Sequence, residues 1–216
     1  MKTWLIARFP LIFFVLGVLA GIGALIRALS ETGTPTYPVA AVSLAVYLLW
    51  VLLEARTTFH TARLEESQAD HGTEIFYGLS RFATVLAAVY GPLPQAQWHV
   101  WTLVPLLLIV CGAGLRLWSI HTLGRFYSHR VRALDDHKIA STGPYRFLRH
   151  PAYTGMLTIH FGLLCYFFNF LSAALFVLLF VPSVILRIFV EEKAMRSVDG
   201  YSEFMTTRKR LIPFVW

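Results

Sequence analysis

The chain is predicted to be all-α, a polytopic membrane protein of about five to six transmembrane helices with no Rossmann domain. Three observations predict this. Of its 216 residues 56% are hydrophobic and only 14% charged, against about 25% charged in a soluble domain. The apolar residues gather into long runs. The final run, 152–190, carries no Asp, Glu, Lys or Arg from Ala152 to Leu186.

The elements follow in order. The first segment, about 9–29, follows Lys2 and Arg8 as a signal peptide would. Its length exceeds a typical apolar core of about 7–15 residues, so it reads as a retained helix. The second covers about 38–54 and ends at Glu54. The third, about 75–91, is weaker and carries Arg81. The fourth, about 98–118, is bounded by Trp98 and Trp118, which suit interfacial aromatic belts. As one helix the run 152–190 would extend about 58 Å, twice the hydrocarbon thickness. It reads instead as a hairpin of two helices, about 152–168 and 171–190, turning at Asn169. Each arm is slightly short for a full crossing. Gly17 and Gly21, four apart, suggest close helix packing.

The chain therefore reads as one integral membrane domain, 1–216. Its N-terminal helices occupy 1–118, and a C-terminal region that holds the main polar clusters occupies 119–216. Arg56, Arg63, Arg125, Arg130, Arg132, Lys138, Arg146 and Arg149 fall in two loops. Lys193, Arg196, Arg208, Lys209 and Arg210 follow the last helix, and the opposite side offers only Arg27. The positive-inside rule then puts both termini and the long loops in the cytoplasm. The short chain points to a prokaryotic plasma membrane rather than the endoplasmic reticulum. The net charge of +7 is accounted for by this bias and by anionic headgroups, so membrane lipids rather than nucleic acid are the expected partners. Cys111 and Cys165 lie in apolar runs and read as small buried hydrophobes. "EESQADHGTE", 65–74, reads as a solvated linker.

Chemistry concentrates in two clusters. The first is "TGPYRFLRHPAYTG", 142–155, where Arg146, Arg149 and His150 sit at the lip of the hairpin. Ser141 or Thr142 can cap a short helix with Pro144 in its first turn. Pro151 opens the next helix, and Tyr153 lies three residues from His150 on the same face. The second is "LRIFVEEKAM", 186–195, where Arg187 and Glu191 share a helix face. Ionisable groups at the end of an uncharged membrane helix are functional candidates. The clusters bracket the hairpin and are expected to meet at its mouth. His129, His137 and His150 have no metal-ligand spacing, so no metal is expected. No phosphate-binding glycine loop is present.

Together these stretches, with Asn169 between them and "YSEFMTTRKRLIP" after them, resemble the isoprenylcysteine carboxyl methyltransferase family, which is related to membrane phospholipid methyltransferases. The resemblance runs from Leu123 to Pro213. It implies an S-adenosyl-L-methionine-dependent methyltransferase whose lipophilic substrate enters from the bilayer. Carried over residue by residue, Gly143, Pro144, Tyr145, Arg149, His150 and Tyr153 would line the cofactor pocket. Glu191 and Glu192 would close it, and Arg187 would face the substrate's reacting group. Arg187 and Glu191 are the catalytic candidates: Arg187 to orient a carboxylate, Glu191 or His150 to act as base if the nucleophile were an amine. O-methylation of a prenylcysteine-like carboxylate is the leading expectation. The alternatives are N-methylation of a phospholipid or small lipophile, and a sterol-type NADPH-dependent membrane reductase, which shares the R-H-P-x-Y turn.

Overall fold

The computed structural model describes residues 2–30, 37–62, 72–92, 99–127 and 139–216. Arg63, most of the 65–74 linker, Trp98, His129, Arg130, Arg132, His137 and Lys138 lie outside them. The described residues form helices α1 (Lys2–Ser30), α2 (Tyr37–Leu53), α3 (Ala55–Ala62), α4 (Thr73–Val89), α5 (Leu103–Leu123), α6 (Pro151–Tyr166), α7 (Phe170–Leu175), α8 (Val181–Met195) and α9 (Tyr201–Thr207). Each expected segment corresponds to one of these helices, with α7 and α8 together forming the hairpin's second arm.

Four helical stretches are long and apolar enough to cross a membrane: Leu11–Ser30, Tyr37–Thr57, Val100–Phe126 and Phe170–Met195. The chain is an integral membrane protein. Helices α4 and α6, of 17 and 16 residues, reach only about 26 and 24 Å. The hairpin arms are therefore unequal, not equally short as expected. Its second arm runs 26 residues without a break. Pro182, near the start of α8, cannot donate a hydrogen bond to the preceding turn. The helix accommodates it with a π-helical turn over Phe176–Phe180, which widens the backbone instead of breaking it.

Asn169 makes the turn. Its Oδ1 accepts from the Ser172 backbone N–H at 2.9 Å, and its own N–H donates to Ser172 Oγ at 3.4 Å. This reciprocal cap satisfies the start of the second arm. The Asn169 amide also donates to Ala87 O at 2.8 Å, and Arg27 donates to Gly91 O at 2.9 Å. Both therefore lie at the end of the bundle where α4 finishes, away from the polar clusters.

The tightest helix pair is α5 with α6. A Cβ on Gly112 would lie 2.8 Å from Gly155 O, and one on Gly155 would lie 2.6 Å from Gly112 O. Small residues let these backbones touch where lipid offers no hydrophobic drive to associate. Gly21 packs against Leu48 as expected, but Gly17 has nothing within 4 Å of a built Cβ. The cysteine expectation also needs correction: Cys111 and Cys165 are free and exposed, on the outer faces of α5 and α6. Buried Trp50, Ile109, Met156, Ile159, Phe180 and Ile188 fill the interior. Leu19, Leu178 and Phe170 stay exposed, as residues facing acyl chains do.

Candidate active site

The two clusters meet. Gly143 opens a short 3₁₀ turn, Gly143–Arg146, with φ 56°. This is the left-handed region glycine adopts without penalty, and a Cβ there would sit 2.9 Å from Thr122 Oγ1. Pro144 and Tyr145 are buried behind the turn, while Arg146 stays exposed. Thr142 occupies the N-cap position without a capping bond. The chain then extends through Arg149 and His150, and Pro151 opens α6.

That extended piece is held by the C-terminal tail. Leu148 bridges Lys209 in parallel. The Arg149 N–H donates to Lys209 O at 2.8 Å, and the His150 N–H to Arg210 O at 3.0 Å. Backbone groups that would otherwise be orphaned at the head of α6 are thus paired.

Helix α8 supplies the opposite wall. Glu192 is 3% exposed and is encircled by nitrogen-bearing side chains. Arg149 Nη1 lies 2.8 Å from its Oε1, His150 Nε2 lies 3.2 Å from the same oxygen, and Arg210 Nη2 donates to Oε2 at 2.9 Å. Glu191 is different: its side chain is 36% exposed, and its Oε1 lies 3.9 Å from His150 Nδ1. His150 stands between the two carboxylates. Arg149 Nε is buried with no hydrogen-bond partner among the described residues, so one charged donor remains available.

Arg187, also 3% exposed, sits deeper along α8. It donates to the Tyr153 hydroxyl and to Thr73 Oγ1, both at 3.3 Å, and its guanidinium lies over the Tyr77 ring at 5.4 Å. Tyr77 and Glu74 belong to a groove between α1, α2 and α4 with a volume of about 130 Å³. Its walls are mainly apolar, from Phe13 and Phe14 to Val85 and Leu86. Arg187 thus touches the groove wall through Tyr77, and Glu54, Glu74 and Arg81 line the groove itself.

Tyr145 packs against Tyr201 and Phe204 of α9. Burial, and then the nearby Glu191 carboxylate, push both Tyr145 and Tyr201 well above the ordinary phenol range. Both rings stay neutral hydroxyl donors at neutral pH.

All nine expected residues thus fall in one neighbourhood. Others there were not anticipated. Arg210 was read only as part of a basic tail. Thr73 belongs to the 65–74 stretch that reads as a solvated linker, and Tyr77 to the weak third membrane segment. Arg116 and Glu54 form a buried pair whose Nε–Oε1 distance is 2.6 Å, and Arg116 also donates to Ala152 O at 3.2 Å. Sixty-two residues separate them, and no local pattern links positions so far apart. The one available signal was Arg116 itself, a charge inside an apolar run.

Comparison with known proteins agrees with this geometry. Residues 104–197 match the model of the isoprenylcysteine carboxyl methyltransferase (ICMT) family, a span that takes in α5, the 143–153 segment and α8. An Oryza sativa subsp. indica protein described as "Probable protein-S-isoprenylcysteine O-methyltransferase" is 28% identical over 184 residues, covering 77% of this chain and 96% of that one. Arabidopsis thaliana protein-S-isoprenylcysteine O-methyltransferase B is 28% identical over 175 residues, 73% of this chain and 88% of its own length. The Saccharomyces cerevisiae protein-S-isoprenylcysteine O-methyltransferase is 31% identical over 120 residues, 53% of this chain and 49% of its own. The residues that match the family's pattern include those of the cluster that α6 and α8 assemble, and the chain is similar to these methyltransferases over most of their length in the Oryza and Arabidopsis proteins.

Proposed function

We propose that this enzyme transfers a methyl group from S-adenosyl-L-methionine to the carboxylate of a prenylcysteine-like lipid at the cytoplasmic face of the membrane. The position of Arg187 carries this reading. A lipophilic acid needs a cation beside its apolar channel, and Arg187 stands against Tyr77 of the groove wall, while Arg81 lines the groove itself.

The residues present fit the cofactor. Its amino-acid end carries an ammonium and a carboxylate. Glu191, the more accessible carboxylate, suits the ammonium. Arg149, with its unpartnered Nε, and His150 suit the carboxylate. Glu192 is already saturated by Arg149, His150 and Arg210, so its part is to aim those donors. The faces of Tyr145 and Tyr153 suit adenine or a sulfonium, and Gly143 and Pro144 shape the turn beside them.

When bound, the cofactor supplies an electrophilic methyl on a cationic sulfur. The chain's own task is alignment and dryness. A carboxylate is already ionised at neutral pH, so no general base is required of the protein. Arg187 orients the acceptor oxygen with its planar fork. Reacting atoms held about 3–3.5 Å apart and in line recover much of the barrier. Tyr77 and Tyr153 flank Arg187 and keep water from it, which favours a step in which opposite charges are neutralised. Region 119–216 is proposed as the cofactor-binding and catalytic part, with 1–118 forming most of the lipid groove.

The test is direct. Protein in nanodiscs, given methyl-labelled S-adenosyl-L-methionine, should methylate a farnesylcysteine analogue to a base-labile ester. Labelling of an amine lipid alone would replace the carboxylate reading with N-methylation. No calorimetric binding of the cofactor at saturating concentration would remove both.

A further inference from the structure

We propose that the tail turn Ile212–Trp216 is a foot that seats in an anionic headgroup layer and thereby holds Arg210 on Glu192. The turn is closed by its own backbone: Trp216 N–H donates to Ile212 O at 3.2 Å, and the Leu211 and Ile212 N–H groups donate to Trp216 O at 2.8 and 2.9 Å. Its tip is Phe214, held at φ 65° and 96% exposed. A non-glycine residue is strained in that conformation, and here the result is an aromatic ring presented outward. Val215 is 69% exposed, Ile212 54% and Phe147 63%. Three large apolar side chains on this short turn, and Phe147 on the segment that Leu148 pairs with Lys209, are thus mostly exposed.

Charge and position identify the occupant. Lys209, three residues before the turn, is exposed, as is Arg146 on the segment that pairs with it through Leu148, and Arg208 lies over Phe204. Exposed aromatics between basic side chains are the composition of segments that lie in an anionic interface. The foot also abuts the start of α6, because Thr154 Oγ1 donates to Leu211 O at 2.8 Å. It therefore sits at the level where the hairpin enters the bilayer.

The foot is wired to the site. Arg210, between Lys209 and the turn, lies over both Trp216 and Phe189, at 5.2 and 5.3 Å, while its other atoms hold Glu192. Its carbonyl and that of Lys209 pair the Arg149 and His150 amides. Seating the foot immobilises these same residues.

The experiment uses the full chain in nanodiscs of phosphatidylcholine, with and without phosphatidylglycerol. A spin label at Phe214→Cys, with Cys111→Ser and Cys165→Ser, should become more accessible to oxygen than to a water-soluble nickel complex. The difference should be larger with phosphatidylglycerol. Hydrogen exchange of the Arg149 and His150 amides should slow at least threefold in the anionic discs, and the effect should vanish in the Arg146→Gln, Lys209→Gln double variant. A label open to the nickel complex in both discs overturns the proposal, as does one shielded from both probes by protein. Exchange indifferent to lipid overturns the coupling to Arg210. Neither readout uses the methyl donor, so failure here leaves the methyltransferase reading intact.

Discussion

Two buried carboxylates, Glu54 and Glu192, stand at the polar end of the bundle, and both are paired with arginine. Glu54 takes a two-pronged bond from Arg116, with Nε at 2.6 Å and Nη2 at 3.0 Å, and a third from Trp50 Nε1 at 2.6 Å. Glu192 draws Arg149, His150 and Arg210 from two segments that are far apart in sequence. The first arrangement ties α2 to α5, and through Ala152 O to α6. The second gathers more donors than its acid consumes, with Arg149 Nε still unpartnered. The same ion-pair chemistry is closed in one place and open to a further anion in the other. A structural pair can be replaced by shape; a binding cluster cannot.

The largest expected effect is at Glu192. Glu192→Ala leaves Arg149 and Arg210 facing each other, which should cost about 3–5 kcal/mol and abolish cofactor binding. Thermal unfolding and calorimetry in detergent check the two parts. Glu54→Gln should destabilise by a comparable amount, about 3 kcal/mol or more. The contrast lies in the rescue. Glu54→Leu with Arg116→Met should recover most of the stability and retain cofactor binding. An apolar replacement of Glu192 with Arg149 should recover stability at most. If both double variants bind cofactor, the distinction drawn here is wrong.

Next in size is Arg187→Lys, which keeps the charge and loses the fork. We expect kcat/KM for a lipid acid to fall about 100-fold, which is about 2.7 kcal/mol of transition-state stabilisation. Cofactor affinity should hold, and equal losses in both would place Arg187 in the cofactor pocket instead. Glu191→Gln should weaken cofactor binding about tenfold, or about 1.4 kcal/mol. Because Glu191 is partly exposed, its melting temperature should stay close to that of the wild type.

The smallest effect concerns pH. Tyr145 and Tyr201 have phenols raised above their unfolded value near 10. A raised folded value means that the folded state keeps its protons longer. The resulting stabilisation is fully present below about pH 10 and is lost as pH rises through the folded values. Cofactor affinity should therefore stay level from pH 7 to 9. Replacing either tyrosine with Phe should leave that plateau unchanged.

Much of this was legible along the chain. Hydropathy located every long helix, because an uninterrupted apolar run has few other fates. Asn169 marked the hairpin turn because an amide can cap a helix that apolar neighbours cannot. Arg149, His150, Glu191 and Glu192 stood out as charges at the ends of an uncharged run. Distinguishing the two acids was beyond reach: adjacent on a helix, they point about 100° apart, and the packing of α8 decides which one is buried. The fate of Gly17 and Gly21 was equally undecided by spacing, since one meets Leu48 and the other opens onto the groove.

Composition and order alone settle that this chain lives in a membrane and that it is helical, and they single out 142–155 and 186–195 as the charged ends of an uncharged run. These are local properties, carried by runs of residues whose transfer free energies add along a helix. Which groups touch is another matter. The grip of Arg210 on Glu192, the meeting of Arg187 with Thr73 and Tyr77, and the Glu54–Arg116 pair each join segments separated by turns and other helices. Their distances follow from how α4, α5, α6 and α8 pack. The close approach of Gly112 to Gly155 and the π-helical turn before Pro182 set that packing.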